Sequence, residues 1–199
     1  NMADTATAEM IRNILTDREP RELSGEGKRA AGVLVLCSSN TEGQHTLILT
    51  KRTSRVEHHK GEVSFPGGAR DAEDTDITAT ALRETYEEIG IPSAEVEILG
   101  SLDQDSTRTG YLIFPVVGNL KRKVDFRPSP YEVDEILEIP ISHLLDPRYT
   151  QYEESVMDGS LVSYNSYWYD TDLIWGATAR IITGFLNLTA HCFAENEVR

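Results

Sequence analysis

The stretch that most restricts the fold runs from Asp76 to Pro92, DITATALRETYEEIGIP. It reads as one helix from about Asp76 to Ile89, with Gly90 placed to cap its C-terminus and Pro92 preventing continuation. Short apolar runs rich in β-branched residues stand on both sides of it. AAGVLVLCSS and HTLILTKR precede it, joined by a turn at Glu42, Gly43 and Gln44, and predict a hairpin. AEVEILGSL, YLIFPVVGNL and EILEIPI follow it as further strands. QYEESVM and SLVSYNSYWY flank Asp158-Gly159, a strong hairpin signal. TATAEMIRNILTD carries Met10, Ile11, Ile14 and Leu15 at helical spacing. DLIWGATARIITGFLNLTAHCF repeats Ile174, Ala177, Ile181, Phe185 and Leu188 at intervals of three and four, so it reads as a closing helix. The mixture predicts an α/β or α+β protein, with a central mixed sheet between helices.

The bulk numbers fit one soluble domain: 199 residues, 39% hydrophobic and 26% charged. Residues 1–29 read as an N-terminal helix and the polar linker EPRELSGEGKR, and residues 30–195 as the domain itself. Asn1, ahead of Met2, reads as a residue left by an expression tag. No apolar run reaches the roughly 18–20 residues of a membrane span, and no basic-then-apolar leader opens the chain. Cys37 and Cys192 are far apart in apolar stretches and read as buried thiols in a reducing cytosol, so a cytoplasmic location is expected. The five histidines form no zinc-type pair. A net charge of −14 disfavours nucleic acid and anionic membranes as partners. An anionic ligand would need cations supplied locally, and metal ions are one way to do that.

Chemistry concentrates in the restricting helix. Glu84 is a helical neighbour of both Glu87 and Glu88, and the three span about a third of the circumference. Leu82, Thr85 and Ile89 turn to another face, suited to a sheet. Like charges at these spacings destabilise an isolated helix by a few tenths of a kcal/mol per pair; a cation between them reverses that sign. Carboxylate oxygens on one face suit Mg²⁺ or Mn²⁺, which leaves room for a diphosphate. Just before the helix, residues 54–76 form a long stretch interrupted by Gly61, Pro66, Gly67 and Gly68, and a loop of that length is usually functional. Gly67 and Gly68 permit close backbone approach to a phosphate or to the helix start.

At this point the residues resemble the Nudix hydrolase family, whose box is Gly-x5-Glu-x7-Arg-Glu-U-x-Glu-Glu-x-Gly-U, with U apolar. Gly68, Asp74, Arg83, Glu84, Glu87, Glu88, Gly90 and Ile91 take those roles. Asp74 replaces the first glutamate, eight residues rather than seven separate it from Arg83, and Thr85 stands where an aliphatic residue is usual. A second pattern resembles the coenzyme A pyrophosphatase branch: LILTKRTSRVEHHKGEVSFPGG matches it at Leu49, Thr50, Arg52, Gly61, Val63, Phe65, Pro66, Gly67 and Gly68. Glu57 departs from it, standing where a second arginine is expected.

The resemblance implies an α/β/α sandwich and Mg²⁺- or Mn²⁺-dependent attack of water on a nucleoside diphosphate derivative. With coenzyme A or acyl-coenzyme A the products would be 3′,5′-ADP and (acyl-)4′-phosphopantetheine. It implies Glu84, Glu87 and Glu88 as metal ligands, with Glu84 doubling as general base. Glu88 and Glu132 complete the expected catalytic set; Glu132 is favoured over Glu135 as the added carboxylate from a later loop. Arg83 either contacts phosphate or orients the glutamates through an ion pair. Arg52, Arg55 and Lys60, with Gly67 and Gly68, are the expected substrate contacts, while Arg83 and Gly90 hold the box together. Phe65 and Tyr111 read as core residues or stacking partners for adenine, and Trp168 and Trp175 as core or dimer-face residues. Two alternatives stand beside this reading. One is another substrate, such as ADP-ribose, a nicotinamide dinucleotide or a dinucleoside polyphosphate. The other is a ligand-binding Nudix domain without turnover. Homodimers are common in the family.

Overall fold

A computed structural model describes residues 2–54 and 61–194. Helix α1 (Met2–Thr16) opens the chain. Strands β1 (Arg29–Ser39) and β2 (His45–Arg52) form the expected hairpin, pairing Leu36 with Ile48 and Ser39 with His45. The stretch read as a long loop contains two short strands, β3 (Val63–Ser64) and β4 (Gly67–Ala69), before helix α2 (Ile77–Ile89). Next come β5 (Val96–Ser101), β6 (Asp105–Ser106), β7 (Tyr111–Leu120), β8 (Val133–Pro140) and a single turn of helix, α3 (Ile141–Leu144). Strands β9 (Thr150–Met157), β10 (Ser160–Tyr169) and β11 (Asp172–Ile174) precede the last helix, α4 (Gly176–Phe193).

The main sheet is mixed. Strand β1 runs parallel to β7 from Arg29–Tyr111 to Cys37–Asn119, and antiparallel to β2 and β4 on its other edge. Side chains alternate across it, so β1 is buried on both faces. Leu34 and Leu36 join Ile48, Ala81, Ile89 and Val116 beneath α2. Val35 and Cys37 join Leu47, Leu49, Val117 and Phe185 on the face covered by α1 and α4. The result is the expected three-layer α/β/α arrangement, with a small antiparallel sheet, β11-β10-β9, at one side. Among the described residues no helix is long and apolar enough to cross a membrane.

Two expectations need correction. The closing segment is not helical throughout: Asp172–Ile174 pairs antiparallel with Tyr167–Tyr169, and the helix begins only at Gly176. The turn is made at Asp170, whose φ is 51°. Trp168 and Trp175 are not core residues, being 43% and 56% exposed. Trp168 stands on the small sheet and Trp175 is the N-cap of α4, and neither is enclosed. Phe65 is buried as expected, and Tyr111 packs against the same core.

Candidate active site

Helix α2 is fixed at both ends. The Asp76 side chain accepts the Ala79 N–H at 2.8 Å, and Gly90, at φ 76°, donates its N–H to the Tyr86 carbonyl at 2.9 Å. A left-handed residue here favours glycine. Thr85 and Ile89 are fully buried against the sheet, and Leu82 packs at the same cluster, as the periodicity predicts. That orientation turns Glu84 and Glu88 toward β4, whose residues pair with β1 as Gly67–Val33 and Gly68–Gly32. The approach is too close for side chains. A Cβ on Gly67 would lie 2.4 Å from the Gly32 carbonyl oxygen, and one on Gly68 would lie 2.5 Å from Glu84 Cδ. Gly67 therefore lets β4 lie close against β1, and Gly68 seats the Glu84 carboxylate directly on the backbone.

The three glutamates have different surroundings. Glu88 is buried, at 6% exposure, and its carboxyl is pushed up to about 8. Burial is the main cause; Glu84 and Glu132 add to it, and Arg52 and a hydrogen bond from the Gly67 N–H oppose it. Glu84 is also raised, first by burial, against the Arg83 guanidinium that holds it down. Glu87 is half exposed at the rim. The Glu132 side chain is exposed but close enough to raise both Glu84 and Glu88. Its backbone carbonyl accepts the Thr53 N–H, and the loop carrying it is tied to α2 through Ser129 N–H to the Glu88 carbonyl, 2.8 Å. Glu135 instead pairs with Lys51 across the β2–β8 ladder.

Arg83 makes the ion pair expected of an orienting residue. Nε and Nη2 donate to the two Asp74 oxygens at 2.9 and 3.0 Å, Nη1 to Glu84 at 2.8 Å and Glu87 at 3.3 Å, and Nη2 to the Ala69 carbonyl at 3.2 Å. Asp74 also accepts from the Asp71 N–H and the Thr80 hydroxyl, and these bonds, the Arg83 pair first, hold its carboxyl well below the usual range. Asp74 thus anchors Arg83. Its signal in the sequence is the altered spacing to Arg83, which alone does not disclose a partner.

Arg52 stands at the end of β2, where the ladder to β8 slips between Lys51 and Arg52. Such a bulge re-aims a side chain. Here Arg52 faces Glu88, and its Nε is buried with no hydrogen-bond partner among the described residues. Arg55 and Lys60, and the departing Glu57, lie outside the described residues.

Among the described residues no three His, Cys, Asp or Glu side chains converge as a complete metal cage. The donor chemistry still fits a hard divalent cation. Mg²⁺ is usually held by one or two carboxylates together with waters and substrate phosphates. Glu88 is a buried carboxylate that a cation would return to its charged form, and Glu84 lies beside it with Arg83 engaging only Oε1.

Comparison with known proteins agrees with this geometry. The NUDIX domain model matches residues 28–158. An uncharacterized Nudix hydrolase NudL of Photorhabdus laumondii is 39% identical over 164 residues, covering 82% of this chain and 86% of that relative. A NudL of Yersinia pestis is 34% identical over 173 residues, covering 85% of this chain and 83% of its own. Among solved structures, the Nudix hydrolase RenU of M. smegmatis is similar with a TM-score of 0.50 at 20% identity, covering 59% of this chain and 74% of that one. A MutT/nudix family protein of Enterococcus faecalis gives a TM-score of 0.50 at 17% identity, covering 88% of this chain and 66% of the other.

Proposed function

This chain belongs to the Nudix family of hydrolases, and from that premise we propose that it is a metal-dependent diphosphatase of coenzyme A and acyl-coenzyme A. The observation that carries the reading is the juxtaposition of buried Glu88, bonded by the Gly67 N–H, and Arg52, whose buried Nε has no hydrogen-bond partner among the described residues. The two face each other, yet burial still raises the carboxyl and the guanidinium Nε still lacks a hydrogen bond among the described residues. A divalent ion together with a diphosphate would satisfy both. The pattern around β2 and β3, LILTKR and GEVSFPGG, favours coenzyme A within that class.

In this reading Glu84, Glu87 and Glu88 would hold Mg²⁺ or Mn²⁺, which would supply neutralisation of phosphate charge and activation of water. Arg52 binds a non-bridging phosphate oxygen, with Arg55 and Lys60 as further contacts. The backbone at Gly67 and Gly68 keeps the floor of the site free of side chains, so that the diphosphate approaches the carboxylates closely. Arg83 positions Glu84 without touching substrate. Glu84, Glu88 and Glu132 are the carboxylates available to take the proton of the attacking water. Phosphoryl transfer depends on positioning and charge neutralisation above all, and these groups supply both.

The test is incubation of the protein with Mg²⁺ and a panel of diphosphates, with products read by mass. Release of 3′,5′-ADP from coenzyme A is expected, and Glu88→Gln should lose orders of magnitude in rate. No release from coenzyme A, with fast cleavage of ADP-ribose or a dinucleotide, would keep the enzyme class and replace the substrate. Glu57, an acid where the coenzyme A pattern has arginine, is the observation favouring that second outcome.

A further inference from the structure

On the face of the main sheet opposite α2, a cavity of about 270 Å³ lies between the segment after α1, the β5–β6 connection, the β9–β10 hairpin and α4. It holds on the order of nine water molecules at about 30 Å³ each, the scale of a small organic molecule rather than a single ion. Its floor is a buried ion pair: Arg180 donates to both oxygens of Asp105 at 2.8–3.2 Å, and its guanidinium lies 5.5 Å from the centre of the Tyr164 ring. Asp105 is thereby neutralised. Arg18 is likewise spent, on Asp103. Arg21 is the third cation against these two acids: its backbone is tied down, N–H to Asp103 and carbonyl to the Gln104 N–H, and its exposed guanidinium adds its charge to that of Arg180 at Asp105 while making no hydrogen bond among the described residues. The Asn187 amide, exposed on α4 at the cavity's edge, also has none among them.

The helix wall carries a second signal. Gly184 lies in the interior of α4, lines the cavity, and has no left-handed φ to require a glycine. A Cβ there would meet nothing within 4 Å. Glycine in a helix interior is less stable than alanine, and neither the fold's backbone nor its packing demands this one. Gly184 is solvent-exposed, and the missing side chain leaves that part of the cavity wall open beside the exposed Arg21 and Asn187 side chains and the Tyr164 ring.

We propose that this cavity is a second ligand site, for a small organic anion whose oxyanion head meets Arg21 and Asn187 and whose flat or apolar body fills the space beside Gly184 and Tyr164. The site is separate from the α2 carboxylates. One transverse row of paired residues, Asp105–Ile113–Ala31–Ala69, crosses the sheet from the cavity's side to the strand under Glu84, and three strand spacings put Asp105 and Ala69 roughly 14 Å apart. The inference does not depend on the coenzyme A reading.

Nuclear magnetic resonance titration of the full-length chain tests it, with phenyl phosphate, benzoate and inorganic phosphate as probes. Saturable shifts are expected at the Gly184 and Arg21 backbone amides and the Asn187 side-chain amide with a ring-bearing probe, and weaker binding of inorganic phosphate. The tighter of phenyl phosphate and benzoate identifies the head group. Gly184→Leu should abolish binding by filling the cavity, and Arg21→Gln should weaken it at least tenfold. Gly184→Ala serves as the folding control and should raise the melting temperature by about 2–4 °C. Absence of localised shifts with both ring-bearing probes, equal affinity for inorganic phosphate, or undiminished binding by folded Gly184→Leu would overturn the proposal.

Discussion

Replacing Gly68 with alanine separates the geometry of the site from the stability of the fold. The added methyl would lie 2.5 Å from Glu84 Cδ and 2.7 Å from each of its carboxylate oxygens. Carbon atoms rest at about 3.5 Å, so the carboxylate must retreat by about 1 Å. The backbone tolerates alanine, because Gly68 does not occupy the left-handed region. The displaced group is the end of a flexible side chain, so unfolding free energy should change by no more than about 1 kcal/mol. Catalysis should suffer far more. Glu84 is held by Arg83 Nη1 at 2.8 Å and cannot move alone. A misplacement of about 1 Å at a reacting centre costs on the order of 100-fold, or about 2.7 kcal/mol of transition-state stabilisation. The assay is kcat at saturating Mg²⁺ on whichever diphosphate the unmodified protein hydrolyses, beside a urea melt of each protein. A rate within about threefold of the original, at unchanged stability, would refute the claim that the glycine seats a catalytic carboxylate.

Other outcomes follow from the same coordinates. Asp105→Ala should cost roughly 3–5 kcal/mol in a urea melt by leaving buried Arg180 without its counter-charge; a loss under about 1 kcal/mol would mean that water screens the pair. Asp74 has a lowered carboxyl pKa in the folded state, so its contribution is complete above the unfolded value of about 3.9 and fades as pH falls below it. The melting temperature should therefore drop more steeply from about pH 5 to pH 3 in the unmodified protein than in Asp74→Asn, and parallel curves would contradict the linkage. Burial pushes the Cys37 thiol up to about 12, and Cys192 is buried too. Ellman's reagent at about pH 8 should find no fast thiol in the native protein and both after denaturation.

Much of this was legible along the chain because it was local. Asp76 and Gly90 bracket α2 by capping chemistry confined to a few residues. Asp158 and Gly159, at φ 47° and 77°, make the tight turn that the dipeptide announces. The ion pairs of Arg83 with Glu84 and Glu87 were legible too, since these partners are its sequence neighbours. What escaped was settled by distant pairing. Residues 172–174 continue the apolar rhythm of α4, yet become a strand because Tyr167–Tyr169 offers them a ladder. The burial that distinguishes Glu88 from Glu87 depends on β4 lying across the helix, and Arg52's direction depends on a slip against β8. The second cavity draws on segments far apart in the chain, and no spacing rule joins Arg21 to Gly184.

Helix α1 has a practical consequence. Its Ala8, Ile11 and Leu15 are sealed into the same apolar mass as Val35 of β1 and Phe185 of α4, although the matched family region begins at 28 and stops at 158. Anyone trimming the protein to those limits for crystallisation or screening would strip both helices from one side of the sheet. The product would be a sticky, aggregating fragment, and its inactivity would say nothing about the enzyme.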